Sequence, residues 1–222
     1  MVSRVSRFVT SRAKAVFAIL MLLTAVPAYF AYSGLSLNVV LEEMLPEGSK
    51  NVELFQRFGA EFGGANTTLI EVKNEKGNIY SIDFLEKYKA IADEAYYNPD
   101  TQRHLSQSLV LRKTKAISGG GGKVEISAVL WPDLPRDEEA MAQFRRTVNN
   151  QYRGFLVSDD ETSAMVIVDF KDDIDFEKTL EFFQELRTKY EDDSLTLQVV
   201  GRPILLGYIY QSLDSVLLIM LT

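Results

Sequence analysis

Cysteine is absent from this sequence, histidine occurs once, and no acidic residue precedes Glu42. The lack of cysteine excludes disulfides and thiolate metal sites, and it is compatible with an oxidising compartment. His104, the single histidine, has no partner residues at a spacing typical of catalysis or metal binding. No Ser-His-Asp arrangement can be argued around it either. The sequence therefore predicts no enzyme, no catalytic residue, no metal ligand and no cofactor.

Charge is distributed unevenly along the chain. The first 14 residues carry four of the 24 cations, which leaves 20 basic and 31 acidic residues in the remainder, a net charge of −11. A strongly acidic domain repels polyphosphate, so a nucleic-acid partner is not expected. Cations placed directly before an apolar run are typical of the cytoplasmic side of a membrane helix. The four cations are Arg4, Arg7, Arg12 and Lys14.

Two apolar runs flank a polar, acidic stretch of globular composition. A helix needs about 20 apolar residues to cross a bilayer, and the C-terminal run supplies about half of that length. We therefore expect the opening segment of a longer, multi-pass membrane protein. The predicted divisions are a cytoplasmic N-terminus (1–14), a first transmembrane helix (15–35), a periplasmic domain (36–212) and the truncated start of a second transmembrane helix (213–222).

A cleaved signal peptide is the alternative interpretation of the first apolar run. The uncharged stretch from Ala15 to Leu41 is too long for the 7–15 residues of a signal-peptide core, and no A-x-A cleavage site closes it. Pro27 is compatible with a membrane helix, where proline is better tolerated than in soluble helices. Tyr29 and Tyr32 fit an aromatic belt at the membrane surface. These features favour a retained membrane helix.

Hydrophobic periodicity predicts an α+β fold between the two runs. We expect helices after N-caps at Ser49, Ser81, Asp137 and Asp175, because these residue types favour that position. The first of these helices carries Val52, Phe55, Phe58 and Phe62. The predicted strands are Thr67–Val72, His104–Ile117, Lys123–Trp131, Ala164–Phe170 and Leu195–Val200.

The order of these elements predicts a ferredoxin-like arrangement. With the segment 119–157 set aside as an inserted strand-helix unit, the order is β-α-β-β-α-β, the split βαβ pattern. Its helices pack on one sheet face and leave the other face free for a neighbouring subdomain. The sequence thus predicts an α+β, ferredoxin-like periplasmic domain, preceded by one transmembrane helix and followed by the start of a second.

Two local features suggest binding sites but have simpler interpretations. The glycine run Gly119–Gly122 lacks the G-x-x-x-x-G-K-[ST] pattern of a phosphate-binding loop, and Lys123 opens a strand instead of a helix. It is therefore interpreted as a flexible loop. Three acidic clusters lie at the ends of predicted elements, where aspartate favours turns and caps; weak cation binding is the alternative. The clusters are Asp159-Asp160-Glu161, Asp172-Asp173-Asp175 and Glu191-Asp192-Asp193.

Several strings resemble the start of the RND (resistance–nodulation–division) superfamily, in particular its MMPL-type, hopanoid-exporter-like branch. They are LPEGS at Leu45–Ser49, FG at Phe62-Gly63, FLVSDDETSAMVIVDF at Phe155–Phe170 and VGRPILLGYIYQSLDSVLLIM at Val200–Met220. The last string is the most informative. It resembles the passage from the final strand of the porter domain, through an amphipathic linker, into the second membrane helix.

The resemblance implies an exporter driven by the proton-motive force. Such proteins move hydrophobic or amphiphilic, often lipid-like, molecules out of the inner membrane, and they carry a periplasmic porter domain after the first helix of each six-helix repeat. The implied partners are the lipid bilayer, a lipid-like substrate, a second porter domain of the same chain, and a second copy of the chain or a periplasmic protein. The proton-relay residues of the family lie in later helices, so none is assigned here.

Two other classes of protein share parts of this layout. A sensory receptor with a periplasmic ligand-binding domain between two spans has the same topology, although the predicted βαββαβ order fits the usual sensor folds less well. A secreted soluble domain conflicts with the C-terminal apolar run. The residues that contact a substrate are not indicated by the sequence under any of these hypotheses.

Overall fold

The computed structural model describes residues 12–34, 66–120 and 123–220, and the chain divides into two units, Met1–Met44 and Leu45–Thr222. The first unit contains α1 (Ala13–Gly34), which includes Pro27. Its stretch from Ala13 to Phe30 has a mean hydropathy of 1.8 and no buried residue. Among the described residues, α1 is the one helix long and apolar enough to cross a membrane.

The second unit is an α+β structure with two small sheets. Its described elements follow in the order β1 (Thr67–Asn74), α2 (Ile82–Tyr97), β2 (Lys115–Gly120), β3 (Lys123–Ala128), α3 (Glu138–Gln151), β4 (Ser163–Asp169), α4 (Phe176–Tyr190), β5 (Leu195–Gly201) and α5 (Arg202–Met220). The predicted helix after Ser49, with Val52, Phe55, Phe58 and Phe62, lies outside the described residues. So do the strings LPEGS and FG.

Three predicted N-caps are confirmed. The side chain of Ser81 accepts a hydrogen bond from the backbone N–H of Phe84, three residues further on. Asp137 and Asp175 do the same for the third residues of α3 and α4. Each bond satisfies one of the donors that a helix N-terminus leaves without an intrahelical partner, so the cap fixes where the helix begins.

β1 is the central strand of a three-stranded antiparallel sheet in the order β4-β1-β5. Alternate residues of β1 are buried, as the two-residue period of a strand requires. The buried face contacts α2 and α4 in one core that includes Ile70, Val72, Leu85, Tyr88, Ile91, Val166, Val168, Phe183, Leu186 and Leu197. Leu69, Met165 and Ile167 point to the opposite face, which remains partly exposed.

The predicted strand His104–Ile117 is wrong over most of its length. Residues 104–114 form turns, and strand β2 begins only at Lys115. Before it, Thr101 and Gln107 make isolated bridges to Phe170 and Ile167 at the outer side of β4. The backbone N–H of Leu109 bonds to the hydroxyl of Tyr88, so it does not pair with a strand.

β2 and β3 form a separate hairpin instead of joining the main sheet. The predicted loop Gly119–Gly122 is shorter in the structure, because β2 continues through Gly120 and β3 starts at Lys123. The predicted third strand also ends early, at Ala128. The side-chain amide of Gln151, the last residue of α3, bonds both the N–H and the C=O of Ile117. This pair of bonds fixes the hairpin to α3.

α5 continues directly from the last strand of the sheet. Gly207 contacts α4 so closely that a Cβ atom there would lie 2.6 Å from the carbonyl oxygen of Phe176 and 2.7 Å from Cβ of Leu180. One turn further on, the ring of Tyr210 stacks on that of Phe176, the first residue of α4, with centroids 6.1 Å apart. The helix therefore runs past the N-terminal end of α4.

Candidate functional site

The three acidic clusters are used within the fold. Asp175 caps α4, and Asp160 accepts bonds from the hydroxyl of Ser158 and the N–H of Thr162 within one loop. Glu161 is buried and pairs with Arg145 at 2.6 Å. Among the described residues, no group of three or more His, Cys, Asp or Glu side chains could hold a metal ion. Carboxylates of these clusters thus take part in helix caps, turns and ion pairs.

Among these clusters, Asp192 carries the carboxyl whose pKa is most strongly shifted. Its oxygens accept bonds from the ammonium of Lys87 at 2.6 Å and from the hydroxyl and N–H of Ser194. The Lys87 bond, followed by those from Ser194, holds the pKa of Asp192 well below its usual range. The ionised form is therefore the form that the fold stabilises.

Replacing Asp192 by Asn is expected to lower the melting temperature by about 1–2 °C at neutral pH, as is typical of an exposed ion pair. A lowered folded-state pKa gives stability that is fully present above the unfolded pKa near 4 and is lost as the pH falls towards the folded value. The difference from wild type should thus shrink below about pH 4. Thermal melts across this range test it, with Asp193→Asn as the control, because Asp193 is exposed beside Asp192. An equal effect of the two substitutions would contradict the stabilising role given to the ion pair between Lys87 and Asp192.

His104 is exposed and lies in the loop after Thr101. Its backbone carbonyl accepts a bond from the ammonium of Lys113 at 2.7 Å. The residues that line the shallow depression beside it include Arg103, Lys171 and Asp172. The structure thus places His104 among charged surface residues and gives it a backbone role in holding the loop.

A basic segment that the sequence analysis did not single out forms the most distinctive surface. Between Asp100 and Glu125 the sequence has five basic residues and no acidic one, although the chain carries a net charge of −7. The five are Arg103, Arg112, Lys113, Lys115 and Lys123. The sequence does show this segment as a locally basic stretch in an acidic chain, but its residues match no known binding motif.

Residues 110–113 and Lys115 of this segment line a groove of about 510 Å³. One wall is the last two turns of α2, the other is the loop 110–115, and Trp131 closes the side beyond the hairpin. We call it the basic-aromatic groove. Its lining residues are Lys89, Asp93, Tyr96, Tyr97, Val110, Leu111, Arg112, Lys113, Lys115 and Trp131.

Buried hydrogen bonds hold the loop that forms the groove wall. The fully buried hydroxyl of Tyr88 donates to the carbonyl of Met165 at 2.9 Å and accepts from the N–H of Leu109 at 3.1 Å. Burial raises the pKa of this phenol far above its usual range, so it stays protonated. The buried hydroxyl of Thr114 donates to the carbonyl of Ser108 at 2.6 Å. Tyr88 therefore ties the loop to the core, and the bond between Thr114 and Ser108 closes the loop on itself.

The charges in the groove are mostly cationic. Asp93 is the one carboxylate in the lining, and it already pairs with Lys89 at 2.7 Å. Among the described residues, no carboxylate forms an ion pair with Arg112, Lys113 or Lys115. Burial lowers the pKa of Lys113, whose ammonium bonds two backbone carbonyls. The groove thus has uncompensated positive charge on an acidic protein.

Aromatic rings form the apolar part of the same groove. The guanidinium of Arg112 lies 5.0 Å from the ring centroid of Trp131, and that of Arg103 lies 5.6 Å from the ring of Tyr97. Both distances are within the range of cation–π attraction. Chemically, this arrangement suits the binding of an anion beside an apolar surface.

A second surface is apolar and belongs to the hairpin. Ile117 pairs with Ile126, and Val124 pairs with Gly119, so these side chains share one face of the hairpin. Ile117 is 58% exposed, Ile126 is 63% exposed and Val124 is 72% exposed. Nothing among the described residues buries this face.

Comparison with protein-family models gave no match to the chain. Comparison with curated proteins also gave no match. The candidate functional surfaces are therefore those that the fold itself forms. They are the basic-aromatic groove, the apolar hairpin face and the junction between β5 and α5.

Proposed function

We propose that this chain is the first part of an RND-type exporter of an inner membrane, driven by the proton-motive force. In this proposal the second unit is the first periplasmic porter domain, α1 is the first membrane helix, and α5 leads into a second. The transported molecules are hydrophobic or amphiphilic. The resemblance of the Val200–Met220 string to this family supports the assignment.

The observation that carries the proposal is the position of the two ends of the sheet. Thr68, at the start of β1, pairs with Gly201, the last residue of β5. The start of β1 and the start of α5 therefore lie at neighbouring positions of one sheet end. Such a geometry suits a domain held at one end by two membrane-bound segments.

The strand order also supports a ferredoxin-like porter fold. In a split βαβ fold the first strand lies between the third and fourth strands, with the second beside the third. Here β1 lies between β4 and β5, and the bridges from Thr101 and Gln107 lie along β4. The expected second strand would then be reduced to these two bridges, with the hairpin and α3 as the insertion.

The proposed mechanism is conformational. α5 contacts α4 through Gly207 and Tyr210, so a tilt of α5 would be transmitted to the sheet through the core face of α4. In transporters built from repeats, alternating access arises when one repeat moves against the other. The apolar hairpin face and the partly exposed sheet face would then contact the neighbouring porter domain or the substrate.

The absence of cysteine allows a direct test of the topology. Ser118 is exposed in the hairpin, and Ser118→Cys in intact cells is expected to react with a membrane-impermeant maleimide. Ser6→Cys, in the basic N-terminus, is expected to react only after permeabilisation, because the positive-inside rule holds this end in the cytoplasm. The opposite pattern, or recovery of the chain as a soluble protein, would overturn the proposal.

The reading frame that follows Thr222 in the encoding gene separates an exporter from a receptor. Further membrane helices and a second porter domain are expected. A kinase or methyl-accepting domain soon after this position would instead assign the unit to a sensory receptor.

A further inference from the structure

We propose that the basic-aromatic groove binds an anionic amphiphile, in which a phosphate or carboxylate is joined to an apolar or aromatic body. This inference goes beyond the proposed transport function, because the site would bind the same ligand in a receptor domain. It rests on three properties of the groove: its uncompensated charge, its aromatic walls and its fixed backbone.

Three cations that line the groove have no carboxylate partner among the described residues. Nine described cations form ion pairs with carboxylates: Lys73, Lys87, Lys89, Arg136, Arg145, Lys171, Lys178, Arg187 and Lys189. Arg112, Lys113 and Lys115 do not, and they differ from other unpaired cations such as Lys76 and Arg146 because all three line one groove. Like charges that line one groove repel, and an anion bound there would relieve the repulsion. The groove is therefore complementary to a negative group.

The aromatic rings of the groove would contact the body attached to that group. Trp131 is 45% exposed and Tyr97 is 64% exposed, so each ring keeps free surface although a guanidinium lies over it. A guanidinium stacked on a ring still directs its N–H groups outward in its own plane, where they can bond a carboxylate or phosphate at two points. The free ring surface beside it favours an apolar body. An anion without such a body would use only half of the site.

The fixed backbone lowers the entropic cost of binding. Tyr88 and Thr114 anchor the loop from inside, and the ammonium of Lys113 bonds the carbonyls of Arg103 and His104 across the surface. These bonds hold the segment that carries Arg112 and Lys115 before any ligand arrives. Preorganisation of this kind raises affinity because little conformational freedom is lost on binding.

Trp131 is the single tryptophan of the chain, so its fluorescence reports on the groove alone. The test titrates the full chain, purified in a neutral detergent, with phenyl phosphate, and repeats the titration with inorganic phosphate and with phenol. Phenyl phosphate is expected to change the emission and to bind at least about tenfold more tightly than either part. Calorimetry repeats the three titrations, so that binding without a spectral change is still detected.

The variant Arg112→Gln/Lys115→Gln should weaken the binding of phenyl phosphate about tenfold or more, because charge-assisted hydrogen bonds are lost. The matched control is Lys76→Gln/Arg146→Gln, which removes the same charge from exposed positions outside the groove. It should change the affinity less than about twofold. Equal weakening by both double variants, no binding by calorimetry, or equally tight binding of inorganic phosphate would each overturn the proposal.

Two sources of such a ligand can then be separated. The chain is reconstituted into phosphatidylcholine vesicles with or without phosphatidic acid, and the titration is repeated. If phosphatidic acid raises the concentration of phenyl phosphate needed, the groove holds a lipid headgroup. If the concentration is unchanged, the ligand is a soluble amphiphile. Either result is compatible with the proposed site, whose existence the preceding titrations decide.

Discussion

Replacing Gly201 by Ala is expected to lower the free energy of unfolding by about 2–4 kcal/mol. A Cβ atom at this position would lie 2.5 Å from the carbonyl oxygen of Thr67 and 2.9 Å from Cα of Thr68. Both neighbours belong to the backbone of the central strand, so they cannot move without disturbing the pairing of β1 with β4. The backbone of Gly201, at φ +156°, is also one that side chains rarely adopt.

Chemical denaturation of the wild-type chain and the variant measures this loss, because the midpoint shifts at unchanged slope when only stability changes. Gly77→Ala is the control. A Cβ atom there would meet only the side-chain amide of Asn74, at 3.9 Å. Its effect should be within about 0.5 kcal/mol. Equal stability of the Gly201 variant and the wild type would mean that the sheet end can open without cost.

The second large effect is expected for Tyr88→Phe, which should cost about 2–3 kcal/mol. The substitution keeps the ring but removes the hydroxyl that links Met165 to Leu109. Because the site is fully buried, water cannot replace the lost partner, and both backbone groups lose a hydrogen bond. The loop that forms one wall of the basic-aromatic groove should also become more mobile.

Two measurements separate the local effect from the global one. Denaturation gives the change in free energy, and hydrogen exchange at the Leu109 amide reports the opening of the loop. Tyr152→Phe is the matched control, since the hydroxyl of Tyr152 donates to the backbone carbonyl of the exposed Lys115 at 2.7 Å, where water can take over the bond. That substitution should cost less than about 1 kcal/mol. Comparable losses in the two variants would contradict the role given to Tyr88.

Local chemistry made much of this fold predictable. The caps at Ser81, Asp137 and Asp175 depend on neighbouring residues, and each appears in the structure at the predicted position. The three strands of the main sheet carry β-branched, alternating sequences, which favour a half-buried strand. Their predicted bounds differ from those observed by one or two residues.

The segment 104–114 shows why the remainder was not predictable. Its residues have strand-like composition, but its backbone groups bond to the hydroxyls of Tyr88 and Thr114 and to the ammonium of Lys113. Tyr88 lies on a helix far away in sequence, so no local pattern contains it. The groove was missed for the same reason, since Trp131 meets Arg112 only after the hairpin has folded.

The seating of α5 on α4 determines how the domain would respond to tension. β5 is an edge strand, and its last residue lies opposite Thr68 at one end of an antiparallel pair. A pull through both neighbouring ends would load the hydrogen bonds between β1 and β5 one after another, as in unzipping. Because Gly207 and Tyr210 contact α4, a pull along α5 reaches that helix and its core face before it reaches Gly201. Part of such a load would therefore act on α4 instead of on the hydrogen bonds of the edge strand.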